Sequence, residues 1–578
     1  MIDFLKKHWW WLAGVLLAVF KVSLLRSQHI YALGGAVHDD GLFMKLAAHI
    51  VRGEWLGPYD QFTLAKGPIY PLFIAANFWV GTPLALMQQL LYIGACASVI
   101  WALAPVMQAG WARLLSFTFL VYNPLTYEGE AMTRILRQHL TIPLGLIIAA
   151  GVIALVIRRR SGWQVRGPWA VGTGLALGLF WNTREEGVWI LPMLGMVGLA
   201  LAVEAGWRDA KELRAVAVLA ALVVIPAWIP TLAISVMNHR HYGWFGAVEM
   251  RAAEFKAAYG ALTRVTEGPN LPLVPVSKAA RQAIYAVSPS FAELQPHLEA
   301  GGVASKWFEQ DRYPVGDGQY LAGWFIWALR DAIVASGHGK TPQRFIDFCE
   351  RMAEEVNRAC DRDELDCTGR RSGFLSRWHP DYSERMKAEW RPYLKEALYK
   401  KGFETIVPSS QGTDDEIRAF VDLSYDNLSP STRATYFHKP DQIQLNVVKL
   451  NLLRDIADAL RGKFYGVFWV AGILLVGRVG QLAISRQWSW ECWLALAVFG
   501  TALAGITVNF LVHIMAFDNS APLAFSPSYP LVQLAAILAG LDIGRGWIQP
   551  GWDRLAVEAR VRRLLAPRKE TETVVDAE

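Results

Sequence analysis

The sequence predicts an all-α polytopic membrane protein of about ten transmembrane helices with a mainly helical extracytoplasmic domain, and three observations carry that prediction. Hydrophobic residues make up 53% of the 578-residue chain and charged residues 19%, an apolar share above that of a usual soluble domain. Several apolar runs reach the length a helix needs to cross about 30 Å of hydrocarbon. Lysines and arginines gather in short clusters beside those runs, as expected of cytoplasmic loops. This placement accounts for the formal net charge of +6 without a nucleic-acid partner.

The spans fall at residues 9–25, 84–106, 113–125, 138–157, 167–182, 187–204, 214–236, 464–481, 489–514 and 527–545. The first is a retained helix rather than a signal peptide, because no small-residue cleavage site follows it. Each span reverses the side. Lys6, Lys7, Arg113, Arg158 to Arg160, Arg208, Lys211, Arg214, Arg486, Arg560, Arg562 and Arg563 then all fall on one face, the cytoplasm, with both termini. The chain divides into a seven-helix module at 1–236 with its first outward loop at 26–83, an extracytoplasmic domain at 237–463, a three-helix module at 464–546 and a cytoplasmic tail at 547–578. Short loops and modest size point to a bacterial inner (plasma) membrane, with the large domain periplasmic or extracellular.

In the 237–463 segment, Phe345, Phe348, Met352 and Val356 recur at helical spacing, whereas NLPLVPVS and VPSSQGTDD read as loops. Cys360 and Cys367, seven apart, have a spacing that permits a bridge in an oxidising compartment. No CxxC pair supports zinc. Asn427-Leu428-Ser429 is a formal sequon. The 25 tryptophans serve interfacial anchoring, as at Trp9 to Trp11, and stacking on sugars is a second use for those in the outward domain.

The candidate chemistry begins in the first outward loop at His38-Asp39-Asp40. Behind it, Leu42, Phe43, Leu46, Ala47, Ile50 and Val51 repeat along one face, which predicts an interfacial helix ending at Gly53. Either aspartate can cap that helix or act as a general base. Adjacent carboxylates raise each other's pKa unless a cation is close. Lys66 lies before the chain re-enters the bilayer. The second outward loop offers Glu128, Glu130, Arg134, Arg137 and His139, and the two arginines, three apart, share a helical face. Arginines on the non-cytoplasmic side run against the charge bias and suit a lipid phosphate. The turn Thr183-Arg184-Glu185-Glu186 places charges at interface depth, where they require pairing or a function. A bridge from Arg184 to Glu185, Asp39 or Asp40 is the structural alternative. His139 reads as a packed histidine or a substrate contact. Asp518 and Tyr529 are secondary candidates.

His38-Asp39-Asp40 followed by Lys66-Gly67-Pro68-Ile69-Tyr70-Pro71 resembles the GT-C superfamily of membrane glycosyltransferases, in which an acidic motif in the first outward loop precedes a K-P-P-x-Y-P motif. Glycine stands here for the first proline. The resemblance covers roughly the first 200 residues. It implies transfer of a sugar, with inversion, from a polyprenyl-phosphate or polyprenyl-diphosphate carrier to a glycan, lipid or protein acceptor. Asp39 or Asp40 would be the base, and Lys66, Arg134, Arg137 and Arg184 would meet the donor phosphate, with His139, Glu128, Glu130 and Glu185 as further substrate contacts. A monophosphate donor requires no metal. A diphosphate donor implies Mg²⁺ or Mn²⁺ held by Asp39, Asp40 and Glu128 or Glu130.

A transporter, a non-catalytic scaffold and a glycan ligase or oligosaccharyl transferase are the competing classes. Against transport, the charges cluster at the outer side and no Gly/Pro-broken helix pair repeats between halves. A scaffold leaves the arginine and acid clusters without purpose. Ligases of the O-antigen type place little chemistry in the first loop.

Overall fold

A helix occupies each of the ten apolar stretches, from Ile2–Leu25 to Tyr529–Ile543. The computed structural model describes residues 2–129, 132–184, 187–308, 316, 318–374, 376–398, 407–426, 440–485, 489–516 and 524–545. Glu130, Glu185, Asp518, Arg486, the sequon at 427–429 and the basic tail lie outside them. Among the described residues there is no β-strand, only the isolated bridges Leu33–Gln411 and Val265–Cys367. The chain is thus an all-α polytopic membrane protein. Among the described residues six helices are long and apolar enough to cross a membrane, and Trp9–Leu25, Ile69–Val80, Gly110–Val121 and Tyr529–Ile543 are shorter apolar ones.

Uniform hydrophobicity has two outcomes. The Gln138–Ile157 helix is buried along nearly its whole length, surrounded by protein on every face, whereas the Ala210–Tyr242 helix leaves Val224, Ile225, Trp228 and Leu232 exposed, as a lipid-facing helix does. The Trp163–Trp181 helix is not among the six, and close packing explains its place. A Cβ on Gly174 would stand 2.2 Å from the Val223 carbonyl oxygen, and one on Gly178 would stand 2.3 Å from that of Ala227. Two glycines four apart let the backbones meet, the small-xxx-small device of membrane helices.

The first loop holds more structure than its sequence announces. A helix forms at Asp40–Val51, its apolar residues packed within protein rather than laid open on one face, with Gly53 at a φ of 79° just beyond it. A second apolar helix, Ile69–Val80, follows. Hydropathy assigns no span there because 12 residues are too few to cross.

The first loop and the 237–463 segment share one hydrophobic core, in which Leu42, Leu46, Ile50 and Trp55 join Phe255, Tyr259, Phe325 and Phe345. Polar clamps hold the seam. Trp55 Nε1 donates to Asn238 Oδ1 at 2.9 Å, Tyr242 OH to the Gly57 carbonyl at 2.7 Å, and the Glu249 amide to the Leu64 carbonyl at 3.0 Å. At the centre Arg330 and Glu249, both fully buried, pair at 2.8 Å. Arg330 also donates to the Gln61 carbonyl, and Tyr59 donates to Glu249, so both charges are further satisfied by the loop. Away from the seam, Cys360 and Cys367 are bridged, as their spacing permitted.

The Glu249–Arg330 pair generates a prediction, because removing one partner strands a charge in a dry core. Glu249→Ala lowers the stability of the purified protein by about 3–5 kcal/mol, read as a depressed thermal midpoint in detergent. A midpoint within error of the wild type would show that this pair does not hold the seam.

Candidate functional site

The two adjacent aspartates have different environments. Asp40 is the first residue of the Asp40–Val51 helix and is fully buried. Its carboxylate receives Arg134 Nη2 at 2.5 Å and Nε at 3.2 Å, a two-point fork, and the Ile135 amide at 3.2 Å. Burial pushes the Asp40 carboxyl above its usual range, against the pull of Arg134. Asp40 is therefore a tie between the first and second loops.

Asp39 occupies the cap position, yet its side chain makes no capping bond. Its side chain remains 31% exposed. The Lys66 ammonium sits on Oδ1 and donates to the His38 carbonyl at 2.6 Å. Burial raises the Asp39 pKa, but Lys66, Arg137 and His38 together outweigh it and hold the carboxyl down at about 2. The outcome is an ionised, partly open carboxylate beside fixed cations.

The second and third loops complete the frame. Arg137 lies over the Phe43 ring at 5.7 Å and donates from Nη1 to the Thr183 carbonyl at 3.2 Å. Arg251 donates to the carbonyls of Trp181 at 2.6 Å and Arg184 at 3.0 Å, which pins the 181–184 turn. The glycine at position 67 has its reason here. A Cβ on Gly67 would stand 1.9 Å from the Asn182 carbonyl oxygen, so no side chain, proline included, fits between Lys66 and that turn.

Of the residues singled out from sequence, Asp39, Asp40, Lys66, Arg134 and Arg137 come together. Arg184 joins through its pinned backbone. His139 is buried, with Nε2 against the Arg134 carbonyl at 3.0 Å, the packed placement. Glu128 is buried, and among the described residues no three of His, Cys, Asp and Glu form a metal-holding group. The set Asp39, Asp40 and Glu128 does not suit a divalent ion as arranged, since the two aspartates already meet Arg134 and Lys66. Tyr529 is buried against Phe525, at the start of its own helix.

Sequence reasoning missed the wall of the site. The His38 ring lies 5.8 Å from Trp307, 5.6 Å from Trp324 and 6.0 Å from Trp327, and Lys66 lies 5.5 Å from the Trp327 ring. The 237–463 segment thus supplies an aromatic box to a first-loop motif. One signal was available: Trp324 and Trp327, three apart, share a helical face.

The Gly67 approach gives a direct test of this frame. Gly67→Ala forces the 182 backbone away and costs about 1–3 kcal/mol of stability by overpacking, whereas Gly35→Ala, where a Cβ meets nothing within 4 Å, leaves the melting midpoint unchanged. Equal midpoints for both variants would contradict the close approach.

The chain matches no family model and no curated protein. Among solved structures it is similar to ArnT from Cupriavidus metallidurans. For its apo structure the identity is 13%, with 93% of this chain and 78% of that one covered, at a TM-score of 0.30. The same protein bound to undecaprenyl phosphate matches at 13% identity, the same coverage and a TM-score of 0.29. Likeness at that level transfers no residue roles.

Proposed function

We propose that the protein is an inverting glycosyltransferase that moves a sugar from a polyprenyl-phosphate carrier to a hydroxyl of a glycan, lipid or protein on the outer face of a bacterial inner membrane. One observation carries this reading: Asp39 is ionised and partly open, with Lys66 and Arg137 beside it, and the Asp40–Arg134 fork fixes its place.

A polyprenyl donor cannot leave the bilayer, so its phosphate has to be met where an apolar helix surface gives way to cations. The loop helix Asp40–Val51 and the apolar helix Ile69–Val80 flank Lys66 in that way. As the sugar–phosphate bond breaks, negative charge develops on the leaving phosphate, and pre-placed ammonium and guanidinium groups stabilise it without reorganisation. Arg137 offers the fork geometry and Lys66 the point charge. No metal is required for a monophosphate leaving group handled in this way.

Asp39 is the base. In the resting site its basicity is suppressed by Lys66, the largest of the charges that lower its pKa. A phosphate that engages the ammonium shares that charge and makes Asp39 more basic when donor is bound. Asp40, closed off by Arg134, has no open oxygen for an acceptor and acts by holding the loop.

The two aspartates therefore separate on substitution. Asp39→Asn removes the base and lowers single-turnover transfer by about 10²–10⁴-fold in protein that still binds donor, with a lower melting midpoint because Lys66 loses its carboxylate partner. Asp40→Asn lowers transfer and donor binding together, because it releases the loop that the Arg134 fork holds. Undecaprenyl-phosphate sugars are the first donors to assay. Wild-type turnover by Asp39→Asn would remove the loop from the mechanism. Arg137→Ala weakens donor binding by about tenfold with acceptor binding unchanged, and equal losses for both substrates would count against a phosphate role.

A further inference from the structure

The base position leaves a question of proton disposal. A carboxylate beside fixed cations gives up a captured proton readily, and among the described residues the His38 imidazole stands next to it. His38 Nε2 lies 4.0 Å from Asp39 Oδ2, the oxygen that Lys66 does not occupy. The same ammonium holds the His38 carbonyl at 2.6 Å and Asp39 Oδ1, so one cation fixes the relative position of the two residues. Closing the remaining gap to hydrogen-bond distance takes about 1 Å.

The surroundings of the ring favour a neutral, oriented imidazole. Trp324 meets it edge-on at 89° and Trp307 at 74°, with Trp327 tilted against it. Trp307 is itself fixed through Nε1 to Asp331 Oδ2 at 2.8 Å, and Asp331 is paired with Lys306 at 2.7 Å. Three indoles therefore box the ring on the side of the 237–463 segment. The His38 and Asp39 side chains stay 27% and 31% exposed, which leaves a route to water.

We propose that His38 is the terminal proton acceptor of the transfer step, receiving through Asp39 the proton that the acceptor hydroxyl loses. This rests on the glycosyl-transfer reading above. The hydroxyl oxygen forms the new bond to the anomeric carbon, and the carbon–oxygen bond to the carrier phosphate breaks with its electron pair going to the phosphate. The hydroxyl proton passes to Asp39 Oδ2 and then to His38 Nε2, restoring the carboxylate and giving an imidazolium that releases its proton to water as product leaves.

The sign of the pH dependence follows. Burial lowers the His38 pKa below 6.5, with Lys66 and Arg134 adding to the fall and Asp39 opposing it. Among the described residues the ionised groups facing the ring are these three, with the Lys306–Asp331 pair behind Trp307. A relay that needs neutral His38 is complete above that lowered pKa and is lost as pH falls through it. In the resting site Asp39 stays ionised over the same range.

The test is single-turnover transfer by the full-length protein in nanodiscs, with a short-chain polyprenyl-phosphate sugar, from about pH 8 down to the acid limit of the folded protein, well below the ordinary histidine range. The wild-type rate falls on the acid side. His38→Gln lowers the plateau about 100-fold, abolishes the acid limb and leaves donor binding unchanged. His38→Gly regains rate on addition of imidazole, a readout that a packing role for the ring would not produce. A His38→Gln plateau within about threefold of wild type with the limb intact overturns the relay and leaves glycosyl transfer standing, as does failure of imidazole to restore a His38→Gly protein that still binds donor. A wild-type protein inactive toward all polyprenyl-phosphate sugars overturns both readings together.

Discussion

The partly buried fork between Asp40 and Arg134 is the interaction on which the rest of the site depends. It joins residues 94 apart in sequence and closes the first loop onto the second where neither has a hydrophobic core of its own. Because Asp40 has no solvent exposure, the pair sits where an unpartnered charge is costly, so the two loops are strongly held to a single register. That register sets the backbone at Asp39, and through it the line from the Asp39 carboxylate to Lys66 and to His38. The Arg134 carbonyl is in turn met by His139, which extends the constraint to the start of the most deeply buried helix.

Identical side chains at adjacent positions thus acquire opposite properties. Asp40 is raised by burial, and Asp39 is lowered by its cations, although both belong to one motif. Divergence of paired carboxylates through environment is a general route to dividing structural and chemical work. The divergence here follows from chain direction. Asp40 begins the helix and points into the protein, while Asp39 stands one residue earlier with φ −131° and ψ −98°, outside the helical register and open at the lip.

Hydropathy and loop charge made the helices legible, because both depend on local composition: every apolar stretch marked in the sequence is helical. The acidic motif, Lys66 and the two arginines were legible for a related reason, since charges beside apolar runs stand out. What the sequence did not disclose is non-local. Gly67 reads as a departure from a proline motif until the Asn182 carbonyl is seen where a Cβ would be. Trp307 is distant in sequence from His38 and reads as one more interfacial tryptophan. Arg251 carries no local mark of its hold on Trp181 and Arg184. The Ile69–Val80 helix escaped notice because its 12 residues fall short of a span.

The 237–463 segment is best understood through this non-locality. Its core is continuous with Leu42, Leu46 and Ile50 of the loop helix, its Arg330–Glu249 pair engages Tyr59 and Gln61, and its tryptophans surround His38. A segment joined only by a linker would leave the first loop to be ordered by the bilayer and by Arg134 alone. Instead, the loop is held from two sides by two ion pairs, the partly buried Asp40–Arg134 toward the helices and the fully buried Glu249–Arg330 toward the segment, with Asp39, Lys66 and His38 placed between them. Rigidity at that point follows from topology, since displacement of the loop in either direction breaks one of these charge pairs. The exposed edge of Asp39 is then an open position in an otherwise fixed frame, which is the arrangement pre-organised chemistry requires.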